Sequence, residues 1–253
     1  MSEQFADVLT AFEPITLKEL DTVRLLNRVD TKFLMSQRQL LRVLPHIAHE
    51  YQALEVNGTL LNRYRTLYFD TPDFFMYTRH HNGAGNRYKV RSREYVETGV
   101  SFLEVKHKNN KARTIKKRLQ TAEMVTALDD DSYLFLAQHC PIDGHKLEPK
   151  LWNRFIRITL ASQANTERLT LDLGLTFEVD QVQISFPDVV VAEVKQERFS
   201  VHSHFFKQMR QQRIRPMGFS KYCVGIARMY PTLKQNRFKE RLMIINRLSR
   251  LSV

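Results

Sequence analysis

The fold class this sequence predicts is α+β, and three observations predict it. Many segments alternate polar with apolar residues at period two, the spacing of a strand whose successive side chains point to opposite faces. Other segments carry apolar residues at helical spacing, near both ends and between groups of strands. The 253 residues contain no Pro/Gly/Ser-rich linker, internal repeat or low-complexity tract, so one domain over 1–253 is expected.

Taken in order, Phe5 to Asn27 carries Phe5, Val8, Leu9 and Phe12, then Leu17, Leu20, Val23 and Leu26, broken by Pro14. Two short helices fit that pattern. Arg28 to Met35 alternates Arg28, Asp30 and Lys32 with Val29, Thr31 and Phe33, a strand whose charged face holds both signs. Ser36 then opens a helix through Leu44, which Pro45 ends. Tyr51 to Val56 and Arg63 to Asp70 are further strands, and Thr71-Pro72-Asp73 leads into a short helix around Phe74, Phe75 and Tyr77. His80, His81, Asn82, Gly83 and Gly85 are expected to form a loop, with the two histidines at the surface rather than on a metal.

The next three strands are the most informative part of the chain. Arg87, Lys89, Arg91 and Arg93 share one face, with Tyr88, Val90 and Ser92 behind them. Glu104, Lys106 and Lys108 share a face in the second strand, and Lys116 and Arg118 in the third, after an Asn109-Asn110-Lys111-Ala112 turn. Like charges opposite one another across neighbouring strands are destabilising. Either these faces are solvated, or a polyanion offsets the repulsion through charge-assisted bonds to Arg and point-charge contacts to Lys.

Beyond Arg118 a helix is expected from Ala122 to Gln138, then strands at Leu151 to Ala161, Arg168 to Leu175, Phe177 to Ile184 and Val189 to Lys195. In the last of these, Glu193 and Lys195 share a face inside a very apolar run, which is costly unless both are partnered. Helical spacing returns from Ser203 to Arg210, and Pro216 to Cys223 leads into another helix. The tail, Asn236 to Val253, is a basic amphipathic helix expected to pack on the body of the domain.

Composition narrows the function. Thirty-nine basic against 27 acidic residues give a formal charge of +12, which favours anionic partners: nucleic acid, a phospholipid surface or phosphorylated small molecules. Cys140 and Cys223 are too few for a disulfide framework or zinc site and read as small buried apolar residues, pointing to a reducing compartment. The N-terminus carries acids and no long apolar run, so neither a signal peptide nor a membrane span is expected, and a cytoplasmic location is.

An ordered set of short motifs completes the pattern: Arg28-Val29-Asp30-Thr31-Lys32-Phe33, Tyr68-Phe69-Asp70-Thr71, Arg91-x-Arg93-x-Tyr95, Phe102-Leu103-Glu104-x-Lys106, Ile115-Lys116-x-Arg118, Phe155-x-Arg157, Arg168-Leu169-Thr170-x-Asp172, Glu193-x-Lys195 and Ser220-Lys221-Tyr222. In this order the sequence resembles the VTC domain of polyphosphate polymerases, within the CYTH-like triphosphate tunnel metalloenzyme superfamily. The likeness covers a core of about 27–225, with N-terminal helices in 1–26 and the basic helix in 236–253 outside it.

The resemblance implies a closed antiparallel barrel of about eight strands, its tunnel lined by charged side chains and its apolar backs covered by helices. It implies that Lys32, Arg91, Arg93, Lys106, Lys116, Arg157 and Lys221 do the catalytic work by cradling phosphates, with Arg118 and Ser220 also on the substrate. It implies Glu193 as the carboxylate for Mn²⁺ or Mg²⁺. Asp30, Glu104 and Asp172 are candidates for further metal contacts or for internal salt bridges. The implied substrates are ATP and polyphosphate, with the ATP γ-phosphoryl group passed to the end of a growing chain; nucleic acid is not expected. Two alternatives stand beside this: a tunnel-fold triphosphatase, in which Glu104 or Glu193 would activate water, and a non-catalytic polyanion-binding module. Against nucleic acid, the bases lack interleaved exposed aromatics for stacking.

Two departures from the family pattern are visible. Met217-Gly218-Phe219 stands where polymerases can carry an extra Lys, and the superfamily's Glu-x-Glu-x-Lys opening appears as Arg28-x-Asp30-x-Lys32. No phosphate-sensing helical domain precedes the motifs and no membrane helices follow them, so a stand-alone domain is expected.

Overall fold

The computed structural model describes residues 2–22, 28–111, 113–164 and 166–250. Val23, Leu26 and Asn27 of the expected N-terminal helix, Ala112 of the turn, and 251–253 of the tail lie outside them. Helices α1 (Ser2–Leu9) and α2 (Leu17–Thr22) flank a short strand the sequence did not reveal, β1 (Glu13–Ile15), in which Pro14 sits. Then follow β2 (Val29–Ser36), α3 (Gln37–Val43), β3 (Tyr51–Leu54), β4 (Asn62–Asp70), α4 (Phe75–His81), β5 (Arg87–Tyr95), β6 (Val100–Lys108) and β7 (Thr114–Thr121). The second half holds α5 (Asp130–His139), β8 (Glu148–Ser162), β9 (Glu167–Val179), β10 (Val182–Phe186), β11 (Val189–Gln196), α6 (His204–Gln211), α7 (Lys221–Met229) and α8 (Lys239–Arg250).

Local chemistry fixes several boundaries. Ser36 and Gln39 form a reciprocal capping box, which starts α3 where the sequence places it. Asp129 accepts the Ser132 N–H, and Asp130 and Asp131 occupy the first turn of α5. That acidic cap starts the helix at Asp130, so 122–129 are not helical as expected. The buried Asp70 carboxylate accepts the N–H groups of Met76 and Tyr77 at 2.8 and 2.9 Å, anchoring α4. The helix then runs through His80 and His81, which are not in a loop; His81 bonds Asn82 and Asn236.

The sheet runs β2-β11-β9-β8-β4-β5-β6-β7, antiparallel along that path, with β10 on β9, β3 on β8 and β1 parallel to β3. The expected barrel closure is not formed: β2 and β7 end the path and share no ladder among the described residues. Two features account for the opening. At β2, the Lys32 carbonyl is taken by the Met217 N–H at 2.8 Å, so the chain entering α7 occupies that edge. The largely exposed β7 carries Lys116, Lys117 and Arg118, charges that discourage pairing.

The sheet nevertheless rolls. Ser220 accepts from Lys89 of β5 at 3.0 Å while the adjoining Lys221 contacts Asp172 of β9, so the start of α7 bridges two halves that face each other. Apolar residues on the outer face meet helices on both flanks. Phe33, Met35, Leu160, Leu171 and Ala192 pack with Phe5 and Leu9 of α1, Leu40 of α3 and Phe205 of α6. Leu67, Val90, Leu103 and Val105 pack with Phe135 and Leu136 of α5. A third apolar cluster fills one end of the inner side, where Leu34, Val191, Leu151, Phe155, Leu175 and Phe177 meet Tyr222, Cys223 and Ile226 of α7 and Leu242, Ile245 and Leu248 of α8. The tail therefore packs on the body, as expected, and both cysteines are buried and free.

Gly174, in the left-handed region at φ 60°, lets β9 change phase. Asp172 pairs with Arg157 before it, and Phe177 pairs with Asn153 after it. One strand thus gives an ionic residue to the open part of the inner face and apolar residues to the plug.

Candidate functional site

Register assembles the site. Across β5, β6 and β7, Lys89, Lys106 and Lys116 stand in one row and Arg91, Glu104 and Arg118 in the next. Arg93 faces Phe102 one row further on. On the facing half, Lys32 pairs with Glu193 across β2 and β11, and Asp172 pairs with Arg157 across β9 and β8. β4 joins the two halves, with Tyr68 beside Arg91, Thr66 beside Arg93 and Asn62 beside Arg157. Residues directly opposite in a ladder point to the same face, so these side chains share the inner side.

Three carboxylates on that side are clamped between bases. Glu104, 1% exposed, receives Arg91 Nη2 at 2.6 Å and Lys116. Asp172 takes a two-pronged contact from Arg157, at 2.6 and 2.9 Å, and a further one from Lys221. Glu193 pairs with Lys32 and, at 3.5 Å, Lys195. Burial alone would raise all three acids, but Arg91, Arg93 and Lys116 hold Glu104 well below the carboxylate range, Arg157 and Lys221 do the same to Asp172, and Lys195 and Lys32 to Glu193.

Glu104, Asp172 and Glu193 do not balance Lys32, Lys89, Arg91, Arg93, Lys106, Lys116, Arg157, Lys195 and Lys221, and Asp30, opposite Lys195 in the ladder, is taken by Arg28. The lysines register the surplus. Burial, then the charges of Lys89 and Lys32, push Lys106 down to about 7. Burial is also the largest cause that lowers Lys89, Lys116, Lys195 and Lys221 to about 8. Lys106 makes no hydrogen bond or ion pair among the described residues, and Lys89 reaches only the Ser220 hydroxyl, at 3.0 Å. Aromatic faces support part of the load: the Arg93 and Arg157 guanidinium groups lie 5.5 and 4.9 Å from the Tyr64 ring centre, and Lys221 lies 4.4 Å from that of Phe155. A bound polyanion would supply the missing countercharge.

Residues 27–230 match the VTC domain family. The chain belongs to that family. Among curated proteins, none matches it. A solved structure of similar fold is a candidate adenylyl cyclase from Hippeastrum, described as revealing a dominant triphosphatase activity. It is 13% identical, with 79% of this chain and 94% of that one covered, at a TM-score of 0.51. A candidate adenylate cyclase from Bacillus halodurans is 14% identical, with 81% and 97% covered and a TM-score of 0.47. The likeness to the Hippeastrum protein is one of fold.

Of the residues expected in the VTC site, Lys32, Arg91, Arg93, Lys106, Lys116, Arg157, Lys221 and Glu193 come together on the inner face. Ser220 is there too, capping α7 through the Cys223 N–H at 3.2 Å. Arg118 stands apart, exposed at the rim. Asp30 pairs with Arg28 at 3.0 Å, and Glu104 and Asp172 are salt-bridge acids. Among the described residues no cluster of three or more His, Cys, Asp or Glu could hold a metal. Sequence reasoning missed four residues. Lys89 shares the alternation of Arg91 and Arg93, and Lys195 follows Glu193 by two, so both were within reach of the pattern. Asp70 and Tyr222, joined by a buried hydrogen bond, tie the Tyr68-Phe69-Asp70-Thr71 and Ser220-Lys221-Tyr222 motifs together and fix the start of α7. Only the fold reveals that pair.

Proposed function

We propose that this VTC domain is a polyphosphate polymerase that passes the γ-phosphoryl group of ATP to the end of a growing chain. The observation that carries the proposal is the state of the inner carboxylates. Glu104, Asp172 and Glu193 are each locked between two bases and held ionised, which makes them weak proton acceptors. Water attack needs a base, whereas the terminal phosphate of a chain is already an anionic nucleophile. Phosphoryl transfer mainly requires positioning and neutralisation of the transferring group, and surplus Lys and Arg in a partly enclosed site supply both.

In this reading Arg91, Arg93, Lys106 and Lys116 hold phosphates from one wall and Arg157, Lys221 and Lys32 from the other. The donor set fits a hard divalent cation that brings phosphate and water oxygens with it, because Glu193 offers one partly exposed carboxylate and, among the described residues, no all-protein cage surrounds it. Mn²⁺ or Mg²⁺ held there with the phosphates would neutralise charge on the transferring oxygens. Lys32 and Lys195 keep Glu193 ionised and ready for such an ion.

Hydrolysis of the triphosphate is the second reading, favoured by the triphosphatase activity described for the Hippeastrum protein of similar fold. Incubation with ATP and Mn²⁺, with products resolved on a gel, separates the two. A ladder of lengthening chains is the expected result; orthophosphate alone refutes the polymerase. No helix among the described residues is long and apolar enough to cross a membrane.

A further inference from the structure

The mouth of the cleft carries a group of side chains that phosphate binding leaves unused. The apolar cluster under α7 fills part of the inner face; at its margin β5 finishes on Tyr95, whose ring packs 5.0 Å from that of Tyr64 in the cluster, and β6 begins near Phe102. The Tyr95 and Phe102 rings are half-buried and meet edge to face, 5.9 Å apart at 88°. The Arg118 guanidinium lies 4.6 Å from the centre of the Phe102 ring. Arg118 is paired in register with Glu104, yet that carboxylate is taken by Arg91 and Lys116. Arg118 is exposed and makes no hydrogen bond or ion pair among the described residues; its contact is with the Phe102 ring.

An arginine that serves a phosphate turns its donors on the anion, whereas one laid on a ring presents a flat face on which another flat group can stack. Inorganic triphosphate and polyphosphate have no such group. A nucleoside triphosphate does. From Lys106 to Phe102 along β6 is four residues, roughly 13 Å of strand, a length that an extended triphosphate and its ribose cover. Phosphates lying along Lys106 and Arg91, two rows and one row from Phe102, therefore leave the base at the mouth.

The geometry points to Phe102, Arg118 and Tyr95 as a stacking platform for the base of a nucleoside triphosphate, an assignment that rests on the phosphate-holding role proposed above for the inner bases. It divides the site in two. The inner bases take any triphosphate, and the rim favours one that carries a nucleoside. Because stacking is tolerant of base identity, the platform selects nucleotides over inorganic chains more than one nucleotide over another.

Titration calorimetry of the full chain with ATP and with tripolyphosphate tests this, comparing wild type with Phe102→Leu and Phe102→Tyr. Phe102→Leu should weaken ATP about tenfold, the loss of one base stack, and leave tripolyphosphate unchanged; Phe102→Tyr should keep wild-type affinity for both. A folded Phe102→Leu protein that binds ATP as the wild type does, or loses both ligands equally, overturns the platform and leaves the phosphate site standing. Wild-type protein that binds neither ligand overturns both. Should a melting curve show Phe102→Leu unfolded, Arg118→Gln at its exposed position gives the same reading: ATP weakened more than tripolyphosphate supports the platform, and equal effects overturn it.

Discussion

Replacing Glu104 by Gln removes the charge at the centre of one wall and keeps its volume. The carboxylate is 1% exposed and compensates Arg91 and Lys116, with Arg93 close enough to act on it. Breaking a buried pair by removing one partner costs about 3–5 kcal/mol, because the other charge stays buried and unpaired. In a chain of this size that loss lowers the melting temperature by on the order of 10 °C. The pH dependence has a definite sign. The folded-state pKa of Glu104 is depressed, so its contribution is complete above the unfolded value of about 4.3 and is lost as pH falls below it. The gap between wild type and Glu104→Gln should therefore be full at pH 7 and shrink below pH 4. Tripolyphosphate should restore part of the lost stability, since it supplies the missing anion, and should raise the melting temperature of the variant more than that of the wild type. Thermal melts at pH 7 and pH 3.5, with and without tripolyphosphate, make the comparison. A variant as stable as wild type at pH 7, or one that gains no more from tripolyphosphate, refutes the reasoning.

Four further outcomes follow from the same geometry. Gly225→Ala puts a Cβ 2.4 Å from Leu151 Cδ2 and 2.6 Å from Phe177 Cδ1, so α7 must shift; a stability loss of about 1–3 kcal/mol and reduced turnover through displaced Lys221 are expected in denaturant titration and activity assays. Tyr222→Phe removes the hydrogen bond to Asp70 and should cost about 1–3 kcal/mol, by denaturant titration, for a buried acceptor that loses a partner. Glu193→Gln should abolish metal-dependent turnover of ATP while tripolyphosphate still binds, and retained turnover counts against its place at the metal. Lys106 near 7 and Lys89, Lys116, Lys195 and Lys221 near 8 are partly uncharged in the free protein at pH 8. Triphosphate favours their charged forms, so binding should take up protons and weaken from pH 7 to 9. Calorimetry in buffers of different ionisation enthalpy reads that uptake at pH 8.

Much of this site is legible in the sequence because strands keep strict alternation. Arg91 and Arg93 two apart, Lys106 two from Glu104, and Glu193 two from Lys195 must share faces wherever these segments are strands. Helix starts were legible where a side chain caps them, as at Ser36, and misplaced where the acids at 129–131 set a later start. What alternation leaves out is the partner on another strand. That Asp172 belongs to both Arg157 and Lys221, or Asp70 to Tyr222, depends on contacts between residues far apart in the chain. The open edge at β2 was equally hidden, because the backbone of Met217 fills it and no side-chain pattern records that bond. The aromatic support beneath Arg93, Arg157 and Arg118 was overlooked because Tyr64, Phe155 and Phe102 read as ordinary strand residues until the sheet rolls.

A crystal structure of the full chain with a non-hydrolysable ATP analogue and Mn²⁺ tests the role of the inner bases most directly. The expected result places the phosphates between the Arg91, Arg93 and Lys106 wall and the Arg157 and Lys221 wall, with the ion against Glu193. Phosphates bound on the exterior, with the inner salt bridges unchanged and the cleft filled only by water, would contradict it.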